Sequence, residues 1–77
     1  MKNKLNKIRK DHKITQTQLA DKVLTTRQTI YLIEKDKVTP SLELAFKLAK
    51  YFELSIEDIF IYSQSSEGIK DDLFKIH

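Results

Sequence analysis

The stretch Ile14-Thr15-Gln16-Thr17-Gln18-Leu19-Ala20, followed by Thr25-Thr26-Arg27-Gln28-Thr29-Ile30-Tyr31-Leu32-Ile33-Glu34, decides how this chain is read. Thr15 is a good N-cap, and Gln18 three positions later completes a capping box, which predicts a helix over about 16–23. Leu19, Ala20 and Val23 form its inner face. Leu24-Thr25 then makes a tight turn. Thr26 is the next N-cap candidate, and a second helix follows over about 27–35, with Ile30 and Ile33 pointing inward. Arg27, Gln28, Tyr31 and Lys35 follow the opposite face, with Leu32 beside them. An exposed Tyr-Leu pair is an odd choice for a face that only meets water.

The flanking sequence supplies packing for this pair. Residues 3–12 read as a helix in which Leu5, Ile8 and His12 share a stripe and Lys4, Lys7, Lys10 and Asp11 face out. Arg9 sits at the edge of that stripe and either snorkels to water or meets a buried acid. After the loop Lys35–Pro40 a fourth helix is expected over 41–52, with Leu42, Ala45, Leu48, Ala49 and Phe52 on one wide stripe. Leu44, Phe46 and Tyr51 lie off its centre, which suits either a partner surface or burial by two neighbours. Ser55 caps a fifth helix over 56–60, with Asp58 closing a second capping box and Ile56, Ile59 and Phe60 facing in. Ile61-Tyr62 is β-prone. The expected organisation is one domain over 1–62 and a linker and tail over 63–77. The tail holds the only Gly and a short amphipathic stretch with Ile69, Leu73 and Ile76, too short for a stable isolated helix.

Seventy-seven residues make one small domain with a modest core. The absence of Cys removes disulfides, thiol catalysis and Cys-bearing zinc sites. His12 and His77 are far apart in sequence, so no metal or other cofactor is expected. His12 instead suits a helix C-terminus. The adjacent pairs Asp71-Asp72 and Glu57-Asp58 splay apart on a helix and are poor acid–base candidates. With no nucleophile–base spacing and no phosphate-cradling Gly loop, no catalytic residue is expected. No apolar run nears the ~18 residues of a membrane span, and Met1–Leu5 lacks the apolar core of a secretory signal. A cytoplasmic protein is expected. The net charge of +3 is lopsided: residues 1–37 carry +6 and residues 38–77 carry −3. Such a division suggests one face that meets a polyanion, although a solvated Lys-rich surface reads the same way.

The motifs Thr15-Gln16-x-x-Leu19-Ala20, Thr26-Arg27-Gln28-Thr29-Ile30-x-x-Ile33-Glu34, Pro40-Ser41-Leu42 and Ser55-Ile56-Glu57-Asp58-Ile59-Phe60 resemble, in that order, the helix-turn-helix domain of lambdoid phage repressors and Cro. They are closest to the small stand-alone Xre-type regulators. The resemblance covers about residues 3–60 and implies an all-α, five-helix bundle. It also implies that helix three enters the major groove of double-stranded DNA and that a homodimer sits on a two-fold symmetric operator. Where the family often has Gly, this chain has Lys13, Leu24 and Asp36. A left-handed backbone there costs a non-Gly residue about 1 kcal/mol, less for Asp.

The resemblance gives the residues roles. Arg27 can fork onto guanine O6 and N7, and Gln28 can pair with adenine N6 and N7. Tyr31 and Leu32, one turn on, can pack on a thymine methyl or sugar edge. The expected phosphate contacts are Gln16, Thr17, Thr25, Thr26, Lys35 and Lys37, which add salt dependence more than specificity. For Thr26 capping alone is a sufficient explanation. Gln16 resembles the family glutamine that also braces the recognition glutamine. Arg9 and Glu34 match a family pair and are expected to form a partly buried salt bridge. The dimer surface is expected over residues 54–62 and the edge of helix four, with Ile61-Tyr62 pairing as a strand across the dimer.

These features favour a sequence-specific transcriptional regulator, acting as a repressor. The alternative is an antitoxin of the same fold that holds a toxin, with the tail as the docking segment for that protein partner, and also represses its own operon.

Overall fold

A computed structural model describes residues 2–62. In chain order the elements are β1 (Lys2–Asn3), α1 (Leu5–Asp11), α2 (Gln16–Lys22), α3 (Arg27–Glu34), α4 (Leu42–Phe52), α5 (Ile56–Ile59) and β2 (Phe60–Ile61). The five expected helices are present in the expected order. The expected linker and tail, and with them the docking segment of the antitoxin reading, lie outside the described residues.

Four helices start where a short hydroxyl side chain turns back on the backbone. The side chains of Thr15, Thr26, Ser41 and Ser55 accept from the amides of Gln18, Thr29, Leu44 and Asp58. Both predicted capping boxes form. At the second, the Ser55 amide and hydroxyl hold the Asp58 carboxyl below its ordinary pKa.

Four helices also stop in one way. Lys13, Leu24, Asp36 and Glu53 have φ of 57°, 59°, 60° and 57°. The next amide in each case reaches five residues back: Ile14 to Arg9, Thr25 to Ala20, Lys37 to Leu32 and Leu54 to Ala49. This is the Schellman closure, normally built on Gly. The three left-handed sites expected from the missing glycines are all present, and Glu53 is a fourth. Each closure ends its helix one or two residues before the left-handed site.

The helices enclose one core. Leu5, Leu19, Val23, Ile30, Ile33, Leu48 and Ile59 are fully buried, with Ala20, Ala45, Ala49, Phe52 and Phe60 around them. Ile8, Ile14, Leu44 and Ile56 close its margin half-buried. Full burial of a Leu or Ile side chain is worth about 1.5–3 kcal/mol, so this set dominates stability. Two expected inward residues face out. Leu42 is 69% exposed because it opens α4 before the bundle covers it. His12 is exposed as the C-cap of α1, the helix C-terminal place expected of it, where its Nδ1 lies 2.9 Å from the Ile8 carbonyl and its ring 4.8 Å from that of Phe52.

Helix α1 starts later than its apolar spacing suggests. Lys2 and Asn3 instead pair antiparallel with Ile61 and Phe60. Ile61, which is also expected to pair across a dimer, gives one strand edge to Lys2 of the same chain. Tyr62 lies outside the strand.

One ion pair joins three helices. Arg9 Nε donates to Glu34 Oε2 at 2.6 Å, and Arg9 Nη2 to Glu34 Oε1 at 3.2 Å. Asn6 of α1 and Gln16 of α2 add bonds to Oε1 at 2.9 and 3.0 Å. Arg9 Nη1 donates to the Ile14 carbonyl at 2.8 Å. The expected Arg9–Glu34 bridge therefore forms, with side chains only 11% and 3% exposed. Burial by itself pushes the Glu34 carboxyl up, but hydrogen bonds from Arg9, Asn6 and Gln16, with the guanidinium charge, hold it below its ordinary value. A lowered folded-state pKa contributes stability above the unfolded value of 4.5. That contribution is lost as pH falls through 4.5 and then through the lower folded value.

Three outcomes are expected. Leu24→Gly stabilises the domain by about 1 kcal/mol, because Leu24 is 80% exposed and its side chain offsets little of the left-handed strain. Thermal unfolding should then rise by roughly 4–8 °C. Arg9→Met, which strands the Glu34 charge, costs about 3–5 kcal/mol in urea unfolding at neutral pH. Glu34→Gln makes stability less dependent on pH below 4.5, which urea melts across an acid series would read.

Candidate nucleic-acid interface

Helix α3 divides its residues between two faces. Ile30 and Ile33 are buried, and Glu34 is tied into the three-helix bridge. Arg27, Gln28, Tyr31 and Lys35 are exposed, as the spacing predicts. The Thr26 cap sets where the helix begins, and the core residues set its rotation. Arg27 and Gln28 therefore stand in the first turn of a helix held firmly from behind.

Two adjoining grooves run along this surface. Arg9, Lys10, Lys13, Ile14, Thr15, Gln16, Thr17 and Arg27 line the first, between the end of α1, the start of α2 and α3. The second brings together Asn6, Arg9, Lys10, Gln16, Arg27, Tyr31, Glu34 and Lys35. Among the described residues the only acid lining either groove is Glu34, whose charge Arg9 neutralises. Lys10, Lys13, Arg27 and Lys35 leave the surface strongly positive. Lys35 Nζ lies 5.8 Å from the centre of the Tyr31 ring, a cation–π contact that steadies both side chains.

The expected site residues are thus distributed unevenly. Arg27, Gln16 and Thr17 converge on the first groove, and Arg27, Gln16, Tyr31 and Lys35 on the second. Gln28 is exposed outside both linings, and Leu32 is half-buried outside both. Thr25 is half-buried in the turn, where its amide serves the Schellman closure. The Thr26 hydroxyl accepts from the Thr29 amide at 3.1 Å and shares a 2.9 Å bond with the Thr29 hydroxyl. Lys37 is exposed just beyond α3. The amide of Gln16 turns onto Glu34 and makes no hydrogen bond to Gln28, so its brace goes to the scaffold.

Lys10 and Lys13 were not among the expected site residues. Lys10 was read only as an outward residue of α1 and Lys13 only as a Gly replacement. Their place beside Gln16 and Arg27 depends on how α1 packs against α2, which local spacing does not encode. The excess positive charge over residues 1–37 was the only sequence signal for them.

Comparison with known proteins agrees with this architecture. The helix-turn-helix family matches residues 5–59. The HTH-type transcriptional regulator MJ0272 of Methanocaldococcus jannaschii is 60% identical over 62 residues, covering 80% of this chain and 94% of that protein. The HTH-type transcriptional regulator YgzD of Bacillus subtilis is 43% identical over 60 residues, covering 78% and 91%. A transcriptional regulator from Listeria innocua, known from a crystal structure, superposes with a TM-score of 0.70 at 22% identity. That superposition covers 99% of this chain and 78% of the other, and it bears on the fold alone. The chain belongs to the helix-turn-helix family, as a small Xre-type, lambda-repressor-like member.

Proposed function

We propose that this protein is a sequence-specific DNA-binding transcriptional repressor that acts as a homodimer. The observation that carries the reading is the division of α3: its inner face is locked by Ile30, Ile33 and Glu34, while Arg27, Gln28 and Tyr31 project from a lysine-lined surface. A helix with that division can lie in the major groove without disturbing the core. Arg27 and Gln28 then read base edges, with Tyr31 and Leu32 following along the groove. Gln16, Thr17, Thr25, Thr26, Lys35 and Lys37, joined by Lys10 and Lys13, hold the sugar-phosphate backbone and fix the register. Family membership supports the same reading. Occupation of an operator excludes other proteins from that stretch of DNA, which makes repression the simplest regulatory outcome.

The dimer reading is supported by a separate surface. An apolar groove at the α4–α5 junction is lined by Phe46, Ala49, Lys50, Leu54, Ser55, Ile56 and Glu57. Phe46 is 57% exposed there, and Ile61 and Tyr62 are exposed in the segment that follows α5. A second copy related by a two-fold axis would cover this patch with its own equivalent. Lys50 and Glu57 on the lining carry opposite charges, which lets two identical surfaces complement each other. Among the described residues the outer edge of β2 pairs with no third strand, which leaves it for the same partner. Such a dimer would set two α3 helices about 34 Å apart, one turn of B-DNA.

Selection of bound duplexes from a random pool should yield an inverted repeat. Arg27→Ala should relax preference at one base pair of each half-site by about 1–3 kcal/mol. Lys37→Ala should instead weaken all duplexes alike and flatten the salt dependence of log K by about 0.9. Recovery of no enriched sequence would refute the reading. Sedimentation should give a dimer that Phe46→Glu converts to a folded monomer, since Phe46 contributes little to the core. A wild-type protein that is monomeric at high micromolar concentration would remove the dimer.

A further inference from the structure

We propose that Asn3 is a positioning residue for the lysine-bearing loop after α3, holding an acid back from the surface that meets phosphate. The inference rests on the reading that this loop contacts a nucleic-acid backbone. Three observations carry it. First, the Asn3 side chain makes three hydrogen bonds, one local and two across long sequence separations. Its Oδ1 accepts from the Leu5 amide at 2.9 Å, and its Nδ2 donates to the Ile33 carbonyl at 2.8 Å and to Asp36 Oδ1 at 2.9 Å. Second, the backbone of Asn3 is fixed by its pairing with Phe60, and the next amide, Lys4, bonds the Ile59 carbonyl at 2.7 Å. Third, Asp36 lies between Lys35 and Lys37, at a left-handed position with φ of 60°.

An unrestrained carboxylate between two phosphate-seeking lysines would oppose them. The Asn3 amide draws Asp36 toward the β1–β2 ribbon. The closing bonds Asp36 N to Ile33 O and Lys37 N to Leu32 O then set where the loop points. A primary amide supplies the acceptor and both donors that the three partners need. Asp retains the acceptor for Leu5 and loses both donors, and Ser retains one donor at most. This one side chain ties the ribbon beside α5 to the end of α3.

The test is a titration of a mixed-sequence duplex across a salt series, with every variant checked for folding by circular dichroism. Asn3→Asp keeps the Leu5 bond but sets two carboxylates face to face. It should flatten the log K against log salt slope by about 0.9–1.8, the equivalent of one or two phosphate contacts. The double variant Asn3→Asp with Asp36→Asn reverses the roles across the same bond and should restore the slope. Lys37→Ala is the control and should flatten the slope alone. If Lys37→Ala leaves the slope unchanged, the phosphate reading falls and the inference with it. If Lys37→Ala flattens the slope but Asn3→Asp only lowers the unfolding midpoint, Asn3 is purely structural and the proposal is overturned. A double variant that folds and keeps the flattened slope overturns it equally.

Discussion

A single buried carboxylate organises the molecule. Glu34 is the last residue of α3, and its side chain is 3% exposed. Taking an ionised carboxylate out of water is expensive, and such a group persists only where donors surround it. Here Arg9, Asn6 and Gln16 provide them, from two different helices. Each donor is placed by its own helix, so satisfying the charge fixes α1 and α2 relative to the end of α3. The apolar core supplies most of the stabilising energy but is non-directional. The carboxylate adds direction, and together with Ile30 and Ile33 it fixes the rotation that points Arg27 and Gln28 outward.

The outer surfaces follow from that arrangement. With α1 and α2 packed behind α3, the lysines at the end of α1 sit beside the first turn of α2 and at the flank of α3. Helix α4 and the short α5 complete the core from the other side and leave an apolar groove facing away from it. The ribbon of two short strands fastens the start of α1 to the end of α5. Asn3 extends that fastening to α3. The charged grooves and the apolar one are thus linked through short, hydrogen-bonded segments.

What could be read from the sequence was what neighbours in the chain decide. The capping boxes at Thr15 and Ser55 depend on residues three apart, and both were legible. So were the inward positions of Leu19, Ile30, Ile33, Leu48 and Ile59, which follow helical spacing. The left-handed sites at Lys13, Leu24 and Asp36, and the Arg9–Glu34 pair, became legible only through resemblance to a family. Glu53 was not read as a left-handed site, since a polar residue after a helix gives no local sign of its backbone angle. The β character of Ile61 was legible but its partner in β1 was not, because strands of two residues carry no periodicity and the pairing of Lys2 with Ile61 is a contact between distant segments. Leu42 and His12 were misplaced for a related reason: a stripe shows which residues share a face, not how far along the helix the neighbours reach. Of the site, the face of α3 was legible, while Lys10, Lys13 and the turning of Gln16 onto Glu34 required the packed helices.

The two-sided construction of α3 bears on how such proteins diversify. Every side chain that anchors the helix lies on one flank, and nearly every side chain that can address a target lies on the other. Exchanging Arg27, Gln28 or Tyr31 leaves the anchors intact, so on the proposed reading new preferences can be explored one codon at a time without an intervening misfolded ancestor. Duplicate copies of such a gene can therefore part ways in what they recognise while sharing an interchangeable frame.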